Sequence, residues 1–305
     1  MLSPSSRRIA LRGLNLRLLT WHPPPDGPPP EALLVLLVHG FADCAGSWSL
    51  VAPHLARAGF VVAAPDLRGY GQSDWVGAGG YYHFPDYAGD LDALIDQLAP
   101  ARLALVGHSM GGVVSTLYTG ARPERVEKLA LIEGVGGPLS PLSMAPERFG
   151  RWLDDLRHEG GRRASKPMQG RAAVLERLTR QHPAVDPMVL SGILEHLARP
   201  EGNDAEGTWV WRLDPMHRTT SPLTWAPDVF AEFARRATCP VLAIGGGPTG
   251  YHPDDEEARL AGFRRLERHD LADAGHMMHW TRPSELSSLL VNFLKSAPSA
   301  TPPGE

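Results

Sequence analysis

The sequence predicts an α/β protein built on a mostly parallel sheet, with a helical segment inserted into it. Short apolar runs of strand length alternate with amphipathic helical segments at both ends of the chain. One run, Leu103 to Val106, leads through Gly-His-Ser-Met-Gly at residues 107–111 directly into a helical pattern. The strand rhythm stops over residues 139–225, where helical patterns and arginines dominate.

The individual elements follow from hydrophobic spacing and from glycine and proline positions. In chain order they are a hairpin over 8–21, a strand over 33–38, a helix over 47–58, a strand over 60–64, a helix over 86–98, strands over 103–106, 128–132, 240–244 and 265–271, and a helix over 283–294. The proline-rich stretch 23–30 is interpreted as a surface linker, and the tail 297–305 as disordered. We expect a discontinuous core formed by 1–137 and 226–305, with a helical cap formed by 138–225.

Composition excludes several classes of function. The net charge is −4 and no basic cluster is present, so nucleic acid is not an expected partner. Cys44 and Cys239 are the only cysteines and are expected to be reduced, and no Cys/His spacing suggests zinc. The first residues do not form a convincing secretory signal, and no apolar run has membrane-spanning length. The expectations are a cytoplasmic monomer or homodimer that acts on a small molecule and uses no metal or organic cofactor.

Ser109 is the candidate nucleophile. A serine on a tight strand-to-helix turn adopts a strained backbone conformation, and side chains two residues before and after it would collide. Both of those positions, Gly107 and Gly111, are glycine. The turn would expose the hydroxyl at the end of the sheet, with the next backbone N–H at a helix N-terminus. The pattern therefore predicts a nucleophile elbow. The alternative is a glycine- and serine-rich turn without chemistry.

A serine hydroxyl needs a base, and acyl transfer needs donors for the developing oxyanion. His276 follows the last predicted strand and fits the order serine, acid, histidine. His279 is the weaker candidate and is expected to pack near the site. The backbone N–H groups of Met110, after the serine, and Phe41, after the strand 33–38, are the candidate oxyanion donors.

Four short segments together carry a family resemblance. They are His-Gly-Phe at 39–41, Asp-Leu-Arg-Gly-Tyr-Gly-Gln-Ser-Asp at 66–74, Gly-His-Ser-Met-Gly-Gly at 107–112, and Gly-His at 275–276. On these motifs the chain resembles the α/β-hydrolase fold superfamily, in its cap-bearing serine hydrolase branch, over about residues 8–296. The resemblance implies an eight-stranded, mostly parallel sheet flanked by helices, an inserted helical cap and a serine–histidine–acid triad that needs no cofactor.

The acid departs from the pattern of that superfamily. Its members usually place an aspartate shortly after the strand that corresponds to 240–244, but here residues 245–251 read Gly-Gly-Gly-Pro-Thr-Gly-Tyr. The first carboxylate after this turn is Asp254. Glu133, at the end of the strand 128–132, is the alternative, because a subgroup of haloalkane dehalogenases carries its acid after this strand. Glu133 is the preferred candidate over Asp254.

The nucleophile limits the reaction. Haloalkane dehalogenases and epoxide hydrolases of this fold use an aspartate at the elbow, whereas residue 109 is serine. The expected function is serine-dependent hydrolysis of a carboxylic ester or related acyl substrate through an acyl-enzyme. A C–C bond hydrolase of a diketone-like acid and a non-catalytic ligand-binding protein are the alternatives.

The cap is expected to set specificity. The candidate substrate contacts are Trp211, Arg212 and Arg218 in the cap, with His108 beside the serine. The opposing interpretation places the tryptophans in the cap core and the arginines in structural ion pairs.

Overall fold

A computed structural model describes residues 2–27, 31, 33–139, 141–157, 167–202 and 207–297. An eight-stranded sheet with the order β1-β2-β4-β3-β5-β6-β10-β11 forms its centre. These strands are β1 (Ser5–Leu11), β2 (Leu14–Trp21), β3 (Leu33–Val38), β4 (Val61–Pro65), β5 (Arg102–His108), β6 (Lys128–Ile132), β10 (Val241–Gly245) and β11 (Leu266–Asp270). Strand β2 is antiparallel to β1 and to β4, and every other pairing is parallel. The predicted mostly parallel eight-stranded sheet is therefore confirmed.

Helices cover both faces of the sheet, and each face has its own apolar cluster. The core helices are α1 (Ala52–Arg57), α2 (Phe84–Leu98), α3 (Met110–Ala121), α7 (Pro227–Arg236), α8 (Glu256–Leu260), α9 (Met278–Thr281) and α10 (Pro283–Lys295). Helices α2, α3, α7 and α8 contribute to one cluster, and α1, α9 and α10 contribute to the other. Central parallel strands are buried on both faces, and this burial explains why they read as continuous apolar runs in the sequence.

One predicted helix is divided. The spacing over 47–58 predicts a single helix, but the structure has a 3-10 helix over Ala45–Leu50 and then α1. Pro53 lies in the first turn of α1. Proline lacks the N–H that a continuous helix would need at this position and fits well at a helix start, so a new helix begins there.

The inserted segment contains more than helices. It holds α4 (Ala145–Arg157), α5 (Gly170–Gln181) and α6 (Pro187–Leu197), with a small sheet of β7 (Met168–Gln169), β9 (Thr208–Trp211) and β8 (Ala198–Pro200). The inserted segment has the helices expected of a helical cap, and it also contains this small antiparallel sheet, which was not predicted. Strands of two to four residues are too short to show the alternation that identifies a strand in a sequence.

Some expectations lie outside the described residues. Residues 28–30 of the predicted linker and 298–305 of the predicted tail are among them. Within the ranges that the structure describes, none of the helices combines the length and the apolar character needed to cross a lipid bilayer.

Strand register brings the candidate residues to one edge of the sheet. Val38 pairs with Gly107, His108 with Ile132, and Ile132 with Ile244. The loops that follow β3, β5, β6 and β10 therefore leave the sheet side by side at its carboxyl edge. Open α/β sheets bind their ligands at this edge.

Candidate active site

Ser109 occupies a strained turn between β5 and α3. Its backbone has φ 52° and ψ −120°, and it is the N-cap residue of α3. The flanking glycines are required by close packing. A Cβ on Gly107 would lie 2.6 Å from the Cα of Gly112, and one on Gly111 would lie 2.6 Å from the carbonyl oxygen of His39. A non-glycine residue at positive φ costs free energy, and such strain is concentrated at functional sites.

The loop after β3 lies against this turn. A Cβ on Gly40 would lie 3.1 Å from the Cβ of Ser109, so the two backbones are in close approach. The side chain of Phe41 is 53% exposed. Phe41, which follows Gly40, and Met110, which follows Ser109, therefore belong to two adjoining backbone segments.

His39 braces this loop. Its Nε2 accepts a hydrogen bond from the N–H of Leu67 at 3.0 Å, so Nδ1 carries the proton and donates to the carbonyl of Gly40 at 2.8 Å. The ring is fully buried, and burial lowers the pKa of His39 below its ordinary value. A neutral His39 with both nitrogens occupied supports the loop and has no free nitrogen for proton transfer.

Glu133, which is buried, and His276, which is partly exposed, form an acid–imidazole pair. Nδ1 of His276 lies 2.6 Å from Oε2 of Glu133, whose side chain is 1% exposed. The carboxylate also accepts the N–H of Gly246 at 2.7 Å and the N–H of Tyr251 at 2.9 Å. Three donors hold the carboxylate in place, and their number explains how a buried acid is tolerated here. This contact orients the imidazole and leaves Nε2 as its free nitrogen.

The glycine-rich turn after β10 makes room for this acid. A Cβ on Gly246 would lie 2.7 Å from Oε1 of Glu133, and a Cβ on Gly250 would overlap the same oxygen. The turn that lacks the usual aspartate therefore wraps around a carboxylate from the neighbouring strand. Asp254 is exposed, and Nδ1 of His276 already has Glu133 as its partner.

His276 and Ser109 lie at the same end of the sheet. Nε2 of His108, the residue before the serine, donates to the backbone carbonyl of His276 at 2.9 Å. The two imidazole rings are 4.7 Å apart between centroids. Within the described residues, Oγ of Ser109 makes no hydrogen bond to His276. Catalytic contacts are often long before substrate binds.

His108 does not line the surface of the site. It is 1% exposed, and burial lowers its pKa well below the ordinary value. Its hydrogen bond goes to the main chain of His276. This position corrects the expectation that His108 contacts the substrate.

His279 is also buried beneath the site. It is fully buried, its Nε2 lies 3.3 Å from Oδ2 of Asp43, and its ring packs against His108 and Trp48. Sequence reasoning did not single out Asp43. The available signal was an acid three residues after Gly40, in the loop that follows β3.

The cap residues have different surroundings. Trp211 is half-buried and packs against clusters of both the core and the cap. The guanidinium of Arg177 lies 5.8 Å from its ring centroid. Nε of Arg212 donates to the carbonyl of Glu195 at 3.1 Å, whereas Arg218 is exposed and has no ion-pair partner within the described ranges.

His217 links the cap to the core and was missed in the sequence. Its ring stacks on Tyr82 with centroids 3.8 Å apart, and its Nε2 lies 2.8 Å from the hydroxyl of Tyr87. The ring of Phe41 is 6.3 Å away. Burial lowers the pKa of His217 to about 4. The cap is therefore fixed to the core close to the candidate oxyanion loop.

Comparison with known proteins agrees with this architecture. The chain belongs to the α/β hydrolase fold family, whose sequence model matches residues 34–283. The chain is 29% identical over 277 residues to lipase LipV of Mycobacterium tuberculosis, an alignment that covers 87% of this chain and 93% of the relative. It is 27% identical over 270 residues to a 2-hydroxy-6-oxononadienedioate/2-hydroxy-6-oxononatrienedioate hydrolase of Klebsiella pneumoniae, with 86% and 87% covered.

A solved structure shows the same likeness. The hypothetical protein PA1622 of Pseudomonas aeruginosa PAO1 superimposes with a TM-score of 0.80 at 29% identity, covering 95% of this chain and 99% of that protein. The fold, the family and these relatives define the protein as a hydrolase of the α/β type.

Proposed function

We propose that the protein is a serine hydrolase that cleaves a carboxylic ester or related acyl substrate through an acyl-enzyme. Ser109 is the nucleophile, His276 the base and Glu133 the acid that orients it. The observation that carries the proposal is the 2.6 Å contact between Glu133 and His276, at the same edge of the sheet as the strained turn of Ser109. A nucleophile, a base and an acid that orients the base are the three roles that acyl transfer by serine requires.

In the proposed reaction, Nε2 of His276 takes the proton of the Ser109 hydroxyl as Oγ attacks the carbonyl carbon. The N–H groups of Phe41 and Met110 donate to the oxyanion of the tetrahedral intermediate. His276 then protonates the leaving group, and the acyl-enzyme forms. Water attacks the acyl carbon with His276 again as base, and Ser109 is released with the acid product.

The cap is proposed to select the substrate. Trp211 offers an apolar surface where cap and core meet. Arg212 and Arg218 are the proposed partners of a substrate carboxylate, and the exposed Arg218 is the more available of the two. This proposal favours acyl substrates that carry a negative charge near the cap.

A C–C hydrolase activity is the second candidate. It is favoured by the full-length relative whose name includes hydrolysis of 2-hydroxy-6-oxononadienedioate. Parallel assays on a short-chain p-nitrophenyl ester and an aromatic diketo acid separate the two reactions. Turnover of the diketo acid at a kcat/KM well above that of the ester would favour C–C cleavage.

Covalent labelling tests the nucleophile directly. A fluorophosphonate probe is expected to label the wild-type protein and the Ser288→Ala control, which changes an exposed serine of α10. The Ser109→Ala variant is expected to remain unlabelled. Labelling that survives in Ser109→Ala would reject the assigned nucleophile, and absence of labelling in the wild type would favour a ligand-binding role.

A further inference from the structure

A second cluster of ligand-type side chains lies beneath the serine turn. Asp43, His108 and His279 are 3%, 1% and 0% exposed, respectively. One carboxylate oxygen and one nitrogen from each ring all lie within 4.8 Å of one another. The three residues come from the loop after β3, the end of β5 and α9, so only the tertiary structure brings them together.

The two histidines of this cluster do not have a hydrogen-bond partner for every ring nitrogen. His108 uses Nε2 as donor to the carbonyl of His276, and His279 directs Nε2 to Asp43. Nδ1 of each ring is buried and has no hydrogen-bond partner. In a neutral imidazole one ring nitrogen carries the proton, and the other has a lone pair that can only accept a hydrogen bond or bind a metal. In His108 the lone pair on Nδ1 therefore lies buried without a donor, which is costly, so this atom needs a partner.

The negative charge of Asp43 is a second reason to expect a cation in this cluster. Asp43 accepts the N–H of Cys44 at 2.8 Å and lies 3.3 Å from Nε2 of His279. Within the described residues, its one ion-pair partner is His279, which carries a charge only when it is protonated. A buried carboxylate requires a compensating cation. The 3.3 Å separation exceeds the usual length of a charge-assisted hydrogen bond, but it matches about 3.3 Å, the edge of a tetrahedron with zinc–ligand bonds of about 2.0 Å.

We propose that Asp43, His108 and His279 bind a divalent transition-metal ion of the zinc class, with water as the fourth ligand. One carboxylate and two imidazoles form a ligand set that zinc accepts. His108 binds through Nδ1 and keeps its Nε2–H on His276. His279 binds through Nε2, and its proton is then carried by Nδ1, which has no hydrogen-bond partner among the described residues. The binding is independent of the proposed hydrolysis, since neither Ser109 nor the His276 side chain is a ligand.

Occupancy of this site is expected to slow the enzyme. A metal on His108 pulls on the residue that holds the main chain of His276, so the imidazole moves relative to Ser109. Small displacements of a base lower turnover strongly. The ligands are buried, so the onset of inhibition is expected to be slow. This effect rests on the proposed function, whereas the binding does not.

Metal titration tests the binding of the ion separately from its effect on hydrolysis. The metal-free wild-type protein is titrated with Zn²⁺ against a chromogenic chelator, and we expect one tight site per chain. Asp43→Asn and His279→Gln are expected to weaken binding at least about 100-fold, since each removes a ligand. The control His252→Gln removes a more exposed histidine that pairs with Glu256, and it is expected to bind zinc as the wild type does. His276→Gln is also expected to retain the site.

Two results would overturn the proposal. One is unchanged zinc affinity in folded Asp43→Asn and His279→Gln proteins, with folding checked by circular dichroism. The other does not depend on any variant: titration of the wild type with Co²⁺ should yield the intense visible absorption of a tetrahedral ion at one equivalent, and its absence would reject the site. Stoichiometric binding without inhibition of ester hydrolysis would reject the regulatory effect alone.

Discussion

The carboxylate of Glu133 occupies the space that a side chain at Gly250 would fill. A Cβ on residue 250 would overlap Oε1 of Glu133, and the N–H of the next residue, Tyr251, donates to Oε2. The turn after β10 and the acid after β6 are therefore matched to each other. The absence of an aspartate in this turn and the presence of an acid on the neighbouring strand are two aspects of one arrangement.

Replacement of Glu133 by glutamine is expected to lower kcat on a p-nitrophenyl ester roughly 10³- to 10⁴-fold, the loss typical of removing a triad acid. The amide keeps the shape of the side chain but cannot stabilise the imidazolium. Steady-state kinetics measure the effect, and a thermal melt verifies the fold. Asp254→Asn is the matched control, with unchanged rates expected. The opposite result, a slow Asp254→Asn and a normal Glu133→Gln, would assign the acid to Asp254.

Gly250→Ala is expected to reduce kcat by about tenfold or more while KM changes little. Gly250 has φ −76° and ψ −176°, which alanine adopts without strain. The substitution therefore acts through overlap of its Cβ with Glu133 and through a lesser crowding of the Gly246 backbone, which would lie 3.0 Å away. The displaced carboxylate would no longer orient His276. Gly137→Ala is the control, because no atom lies within 4 Å of a Cβ at that position. Equal activity of both variants would show that the turn does not hold the acid.

Stability is expected to fall in acid through His217. Burial lowers its pKa from 6.5 to about 4 in the folded protein. The unfolded chain therefore binds more protons between these values, and the stabilisation is complete above pH 6.5 and is lost as the pH falls to about 4. The shift corresponds to roughly 3 kcal/mol at most.

The His217→Phe variant separates this contribution from that of other buried histidines. Phenylalanine keeps an aromatic ring beside Tyr82 but cannot take up a proton. Denaturant unfolding of both proteins at pH 7.5 and pH 4.5 should show a smaller loss of stability in the variant. Parallel losses in the two proteins would indicate that His217 does not titrate in this range.

Arg218→Gln is expected to raise KM for an ester that carries a carboxylate by roughly 10-fold, within the range of one charge-assisted hydrogen bond. A neutral ester of the same size should be hydrolysed as before. Arg180→Gln, which changes an arginine paired with Glu176 on the surface of α5, serves as the control. An equal change in KM for both esters would show that Arg218 does not recognise the substrate carboxylate.

Much of the fold could be predicted from the sequence, because apolar runs and proline positions along the chain agree with the strands and helices of the structure. The strand 128–132 and the helix start at 283 were predicted at their observed positions, since buried runs and prolines define them locally. The cap strands were not predicted, because they are too short to show an alternation of apolar and polar residues. The break before Pro53 was not predicted, because the apolar spacing runs through it without interruption.

Glycine spacing and the order of the strands can be followed along the chain, and they predicted the fold class, Ser109 and His276. The resemblance to other members of the fold added Glu133 as a candidate acid beside Asp254. Folding was needed to show that Glu133 rather than Asp254 contacts His276, that His108 lies beneath the site, and that Asp43 meets two histidines. These contacts join residues far apart in the chain, at separations set by the packing of the sheet edge and its loops.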